Sequence, residues 1–165
     1  MSEKVKIYIE KCRDTARIPE YANYGDAGMD IYAAEDCTIK PGERFLVPTG
    51  LKVAIPEGYE IQVRPRSGIS YRTKLRISNS PGTIDSGFRD EIRIIVSNDS
   101  LPDTEDTIIT LDDRDKKDGT YRIRKGDRIA QMVLSKVPVI DFHITDSVEN
   151  IGKNRGGGFG STGHK

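Results

Sequence analysis

Apolar residues recur along this chain with a short period and frequent interruption. Val5-Lys6-Ile7-Tyr8-Ile9 alternates with a period of two, as a strand with one buried face does. Pro41-Gly42 and Pro56-Glu57-Gly58 read as turns, and residues 44–55 between them predict strand. The alternation resumes in Tyr59-Glu60-Ile61-Gln62-Val63. Further strands are expected over 75–77, 91–96, 107–111, 120–124, 128–136 and 139–144. No stretch sustains a helical period. The one helical turn expected begins at Ser67, placed as its N-cap, and runs through Tyr71. Many short strands between Gly and Pro turns predict an all-β sandwich or barrel, for which a jelly roll fits the chain length.

Two stretches depart from this pattern. Residues 99–119 are dense in charge and predict an exposed excursion, with a hairpin around Thr107 to Leu111. Residues 152–163 form a glycine-rich tail containing one arginine and one aromatic ring.

Composition narrows the function. A chain of 165 residues suffices for one domain with a proper core and is short for two. Its 26 basic and 26 acidic residues cancel, which argues against a general nucleic-acid binder. Hydrophobic residues make up 35%, and no run approaches the roughly 18 apolar residues of a membrane span. The first ten residues lack the apolar stretch of a signal peptide, so a soluble cytoplasmic protein is expected. Cys12 and Cys37 have neither disulfide-framework nor metal-ligand spacing. With only His143 and His164 available, catalysis must rest on carboxylates, arginine, hydroxyls and backbone amides.

Five segments carry such chemistry. In the tail, Gly156-Gly157-Gly158 permits close approach of backbone amides to an anion, and Ser161 and Thr162 add hydroxyl donors. Arg155 adds a charge and Phe159 a ring that a plain linker does not need, so the tail reads as an arm closing over a phosphorylated, ring-bearing ligand. It lacks the Gly-Lys-Ser/Thr ending of a P-loop. Pro65-Arg66-Ser67-Gly68 is a simple strand-to-helix turn on the plainer view. The same geometry offers unpaired N–H groups, a hydroxyl and a charge to phosphate. In the stretch from Asn79 to Phe88, Asn79 suits a base edge, Phe88 a sugar face and Asp85 a general base; the plainer view is a surface turn. Asp26 to Asp30 and Gly126 to Gln131 are ordinary loop and turn sequences taken singly.

Together and in this order, these segments resemble the five motifs of the trimeric dUTPase family: DAGMDIYA at 26–33, PRSGI at 65–69, NSPGTIDSGFRDE at 79–91, GDRIAQ at 126–131 and RGGGFGSTG at 155–163. The resemblance runs from about residue 5 to the end. It implies a distorted, β-clip-like jelly-roll subunit with one short helix over 1–151, carrying the charged insertion, and a closing arm over 152–165. It also implies a homotrimer with sites shared between chains, which cleaves dUTP to dUMP and pyrophosphate with Mg²⁺. Carried across by motif, Asp30 holds magnesium through water while the ion sits mainly on the triphosphate. Arg66, Ser67, Gly68 and Gln131 contact phosphates. Asn79, Gly82 and Ile84 belong to the uracil-recognising hairpin, Asp85 is the general base, and Phe88 presses on the deoxyribose. In the arm, Arg155 grips the γ-phosphate, Phe159 stacks on uracil, and Gly160, Ser161 and Thr162 complete the substrate contacts.

Three departures accompany the match. Phe88 stands where the family usually has Tyr, Asp90 where it usually has Gly, and the 99–119 segment is longer than usual. A related family, deoxycytidine triphosphate deaminase, carries a catalytic Glu ten residues after the shared Asp. An ungapped count from Asp85 reaches Ile95, which cannot transfer a proton. A non-catalytic binding protein on this fold, using 99–119 as its contact surface, is the other alternative; the intact Asp30, Asp85 and arm argue for retained activity.

Overall fold

Short alternating segments, each too brief to stand alone, form strands here because partners distant in sequence cover one face of each. The computed structural model describes residues 3–114 and 117–157. Its strands are β1 (Tyr8–Lys11), β2 (Met29–Tyr32), β3 (Cys37–Ile39), β4 (Arg44–Pro48), β5 (Leu51–Ala54), β6 (Tyr59–Arg64), β7 (Leu75–Ile77), β8 (Gly82–Ile84), β9 (Arg93–Asn98), β10 (Ile108–Thr110), β11 (Thr120–Ile123) and β12 (Arg128–Lys136). One short helix, α1 (Ser67–Arg72), follows β6, and a 3-10 turn spans Pro102–Thr104. The strands form four small sheets, ordered β2-β12-β6-β8, β4-β9-β7, β10-β11-β3 and β1-β5. This is the expected all-β, jelly-roll type of subunit with one helix.

The sheets enclose one core, in which Ile31, Ile39, Val47, Leu51, Ile94 and Ile123 are each at most 1% exposed. Burying one such side chain contributes about 1.5–3 kcal/mol, whereas an exposed ion pair contributes about 0–1 kcal/mol. Alternation, not the abundant surface charge, therefore holds the subunit. Cys37 lies in this core, where burial pushes its thiol up to about 11, so it stays protonated at neutral pH.

Several elements differ from the sequence expectation. The first strand begins at Tyr8, not Val5, because only Tyr8–Lys11 finds a partner in β5. The predicted run over 44–55 breaks at Thr49-Gly50. Gly50 has φ 69°, and a Cβ there would lie 2.7 Å from that of Ala16, so the amino-terminal segment crosses directly over this turn. Ser67 is not the helix cap. Arg66 occupies that position in extended conformation and its guanidinium is engaged elsewhere, so no side chain caps the helix. At the other end Thr73 Oγ1 donates to Ile69 O at 2.7 Å. Strands β2, β3 and β8 escape a periodicity reading and form against the distant partners β12, β11 and β6. Residues 139–144 form no strand in the subunit and leave Phe142 83% and Ile144 103% exposed.

The charged segment is only partly an excursion. Among its described residues there is no hairpin: β10 pairs parallel with β11, Ile108 opposite Thr120. Its Ile109 is 1% exposed and belongs to the core. Asn98, itself 1% exposed, staples this region to the body. Its Nδ2 donates to Ile39 O and Gly119 O, both at 2.8 Å, and its Oδ1 accepts from Ser100 N at 3.0 Å. Replacing it by Ala strands three buried backbone groups, so Asn98→Ala is expected to cost at least about 3 kcal/mol. Urea unfolding measures this; a loss below about 1 kcal/mol would refute the staple.

Candidate active site

Asp30 is the hub of one group of polar side chains. Strand β2 carries it opposite Gln131 of β12. A bulge in β12 shifts the register between Arg128 and Ala130, so that Ile129 and Ala130 are both buried and Arg128 falls opposite Tyr32. In a regular ladder Arg128 would lie one step further along, on the other face; the bulge brings it to the face of Asp30. Arg66 Nε donates to Asp30 Oδ1 at 2.8 Å, Arg128 NH1 to Oδ2 at 3.2 Å, and Gln131 Nε2 to Oδ1 at 3.4 Å. The Asp30 side chain is 14% exposed and pairs with two guanidinium groups, which leaves the cluster with a net positive charge. Arg66 also reaches Arg128 O at 3.4 Å.

Beside this group, Ser67 and Gly68 open α1 with their surfaces free, and a Cβ on Gly68 would meet nothing within 4 Å. The first-turn N–H groups of a helix have no partner within the helix. Ser67 and Gly68 line a cleft of about 740 Å³ together with Arg17, Arg66, Arg72 and Arg128, and with Asp112 and Asp127. Arg17 stacks over the Tyr32 ring with its guanidinium carbon 4.2 Å from the ring centre. The four arginines outnumber the two aspartates of this lining, so the cleft suits an anion.

A second group lies on the far edge of the same sheet. Asn79, Gly82, Ile84 and Phe88 line a cavity of about 110 Å³, joined by Arg93 and Ile95. A Cβ at Gly82 would come within 3.2 Å of Asn79 Nδ2 and 3.3 Å of Val63 Cβ, a tight fit that glycine relieves. The Asn79 amide is thereby laid over β8. Phe88 is 38% exposed, its ring forming one wall. Asp85 follows β8 directly on an exposed loop, where Phe88 N donates to Asp85 O at 3.1 Å. Arg89 NH1 donates to Ser86 O and Phe88 O at 2.6 and 2.8 Å.

The two groups do not meet within the subunit. Among the described residues no hydrogen bond or ion pair joins Asp30, Arg66, Arg128 or Gln131 to Asn79, Asp85 or Phe88. Three interstrand spacings separate β2 from β8, about 14 Å, and Asp85 lies a further four residues along, so Asp30 and Asp85 are roughly 19 Å apart.

Metal ligands are sparse. Among the described residues no group of three or more His, Cys, Asp or Glu could hold a metal ion. Of the arm, Arg155 is exposed, and Gly156 and Gly157 have φ of 64° and 69°. Phe159, Gly160, Ser161 and Thr162 lie outside the described residues. The sequence reading overlooked Arg128, although it lies inside the GDRIAQ segment; the signal was an arginine at the start of a strand entry, and only the bulge aims it at Asp30. Arg93 and Ile95 were overlooked as cavity walls because their alternation reads simply as strand.

The family model for dUTPase matches residues 14–114. The chain belongs to the dUTPase family. It is 44% identical to the deoxyuridine 5'-triphosphate nucleotidohydrolase of Finegoldia magna over 163 residues, covering 98% of this chain and 99% of that protein. Among solved structures it resembles the dUTPase of Staphylococcus bacteriophage 80alpha bound to dUPNHPP, with TM-score 0.83 and 31% identity over 96% of this chain and 98% of that one. It also resembles a mutant dUTPase of S. aureus phage phi11 described with a structural Mg(II) ion, with TM-score 0.78 and 29% identity over 87% and 99% of the two chains. As in its family, the chain has a β-rich subunit. Among the described residues no helix is long and apolar enough to cross a membrane.

Proposed function

We propose that this protein hydrolyses dUTP to dUMP and pyrophosphate, working as a homotrimer whose sites are completed by neighbouring copies. The carrying observation is the pairing of a cationic, amide-rich cleft at Arg66, Ser67, Gly68 and Arg128 with a small cavity at Asn79 and Phe88. The first suits a triphosphate and the second a pyrimidine nucleoside. Their separation within one subunit supports a site built from more than one chain. Exposed Val139, Ile140, Phe142 and Ile144 support the same reading, since an apolar run of this kind is usually covered by a partner.

In this mechanism Arg66, Ser67, Gly68 and Gln131 hold the phosphates and Asn79 reads the uracil edge, with Gly82 and Ile84 shaping its pocket. Phe88 presses on the deoxyribose and leaves no room for a 2′-hydroxyl; lacking a phenol oxygen, it acts by shape alone. Asp85 orients a water and takes its proton as the water attacks the α-phosphorus, in line with departing pyrophosphate. The donors in the cleft stabilise charge on the phosphate oxygens. The arm brings Arg155 to the γ-phosphate, Phe159 over the base, and Gly160, Ser161 and Thr162 to the remaining contacts, excluding bulk water.

Magnesium fits this donor set in one manner. Asp30 already accepts from two arginines and one amide, and among the described residues no group of three or more His, Cys, Asp or Glu could hold a metal ion beside it. It suits a hydrogen bond to a metal-bound water, with the triphosphate supplying the inner ligands, as Mg²⁺ commonly requires. Bound there, the ion would neutralise phosphate charge and assist the leaving group.

Deamination is disfavoured by Ile95, an apolar wall of the base cavity where that chemistry needs a proton carrier. The deciding assay is pyrophosphate release with Mg²⁺ from dUTP, UTP, dCTP and dTTP. Turnover of dUTP should exceed the others by at least about 10²-fold. Equal turnover of UTP would end the sugar-excluding role of Phe88, and ammonia from dCTP would end the hydrolase reading.

A further inference from the structure

The loop from Asp85 to Asp90 carries the reactive carboxylate across exposed ground between β8 and β9. Its own hydrogen bonds, from Phe88 N and from the Arg89 side chain, maintain its shape without fixing where it stands. Its leading end is anchored by Ile84, paired with Ile61 in the sheet. Its trailing end is anchored by a side chain. The Glu91 carboxylate, 10% exposed, accepts Arg13 Nε at 2.6 Å and NH2 at 3.0 Å, Gly50 N at 2.9 Å and Arg93 Nε at 3.3 Å. The two-pronged grip of Arg13 fixes orientation as well as distance. Arg13 is braced in turn by an ion pair with Glu35 and by the close crossing over Gly50.

Three segments thus converge on one carboxylate: residues 12–16, the Thr49-Gly50 turn and the end of the Asp85 loop. Stability alone is a poor account of such a group, because a largely buried ion pair gains little over apolar packing. Placement is a better one. We infer that Glu91, gripped by Arg13, is a positioning residue that sets the Asp85 loop against the bound phosphates. The inference rests on the reading of Asp85 as the base. Neither Glu91 nor Arg13 touches substrate in it; they act through the loop.

The test compares Glu91→Gln, Arg13→Gln, the double variant and Asp85→Asn in the full-length enzyme with dUTP. Displacing a reacting group by about 1 Å costs up to about 10²-fold, so each single variant should lose about 10- to 100-fold in kcat. KM should stay within about twofold, since the phosphate cleft is untouched. The double variant should be no worse than the weaker single, both having cut the same anchor. Amide hydrogen exchange should rise over residues 86–90 and stay unchanged over 67–73. Should Glu91→Gln not fold, Arg13→Lys keeps the charge, removes the two-pronged grip and provides the same comparison. Parent-like kcat in the single variants, KM rising in step with the fall in kcat, multiplying losses, or exchange rising equally at both segments would each overturn the inference. A fully active Asp85→Asn would instead overturn the base itself. An inactive Asp85→Asn beside parent-like Glu91 and Arg13 variants would overturn the clamp alone.

Discussion

Asp85→Asn is expected to lower kcat for dUTP by about 10²- to 10⁴-fold, the usual worth of general-base assistance, while dUTP still binds. The substitution changes one oxygen to an amide nitrogen and keeps the shape of the side chain. Among the described residues the Asp85 carboxylate has no hydrogen bond or ion pair, so nothing in the fold depends on its charge. Chemistry and stability are therefore separable at this position. Calorimetric titration with a non-hydrolysable dUTP analogue, beside steady-state turnover, makes the distinction. Retained turnover would remove Asp85 from the mechanism; lost binding would make it a substrate contact instead.

Truncation after Ile151 is expected to lower turnover by about 10²- to 10³-fold, as removal of a single preorganised phosphate donor can, and to leave the oligomer intact. The deleted residues include Arg155 and also Gly156 and Gly157, whose left-handed φ values suit a chain that turns back. The exposed Val139 to Ile144 stretch lies before the cut, so any partner contact it makes survives. Light scattering beside the pyrophosphate assay tests both halves. A truncated protein that falls to monomer would show the tail to be an assembly element, and one with full turnover would refute the closing role.

Much of this molecule was legible in its sequence where physical signals are local and repeated. Strand β12 was readable over its full length because Arg128 to Lys136 is long and follows a clear turn at Gly126. Strands β2, β3 and β8 were not, since their identity comes from the distant partners β12, β11 and β6. The parallel pairing of β10 with β11 was invisible for the same reason. At the site, residue types were readable from the five segments, three of which supply Asp30, Arg66 and Gln131 to one hydrogen-bonded cluster. The part played by Arg128 depends on a bulge, and that of Glu91 on an arginine far back in the chain. Neither leaves a periodic trace.

The place of β12 in its sheet also bears on how the chain comes to be folded. It lies between β2 and β6, yet it is made long after both, ending at Lys136. Until then neither neighbour has its central partner, and each presents an unpaired edge of the kind that recruits other chains. Closing a loop from Met29 to Met132 has an entropic cost before the ladder can repay it, and such long-range pairing makes for slow folding. The hazard for this protein is thus concentrated in the interval of its synthesis, when the sheet is waiting for its middle strand.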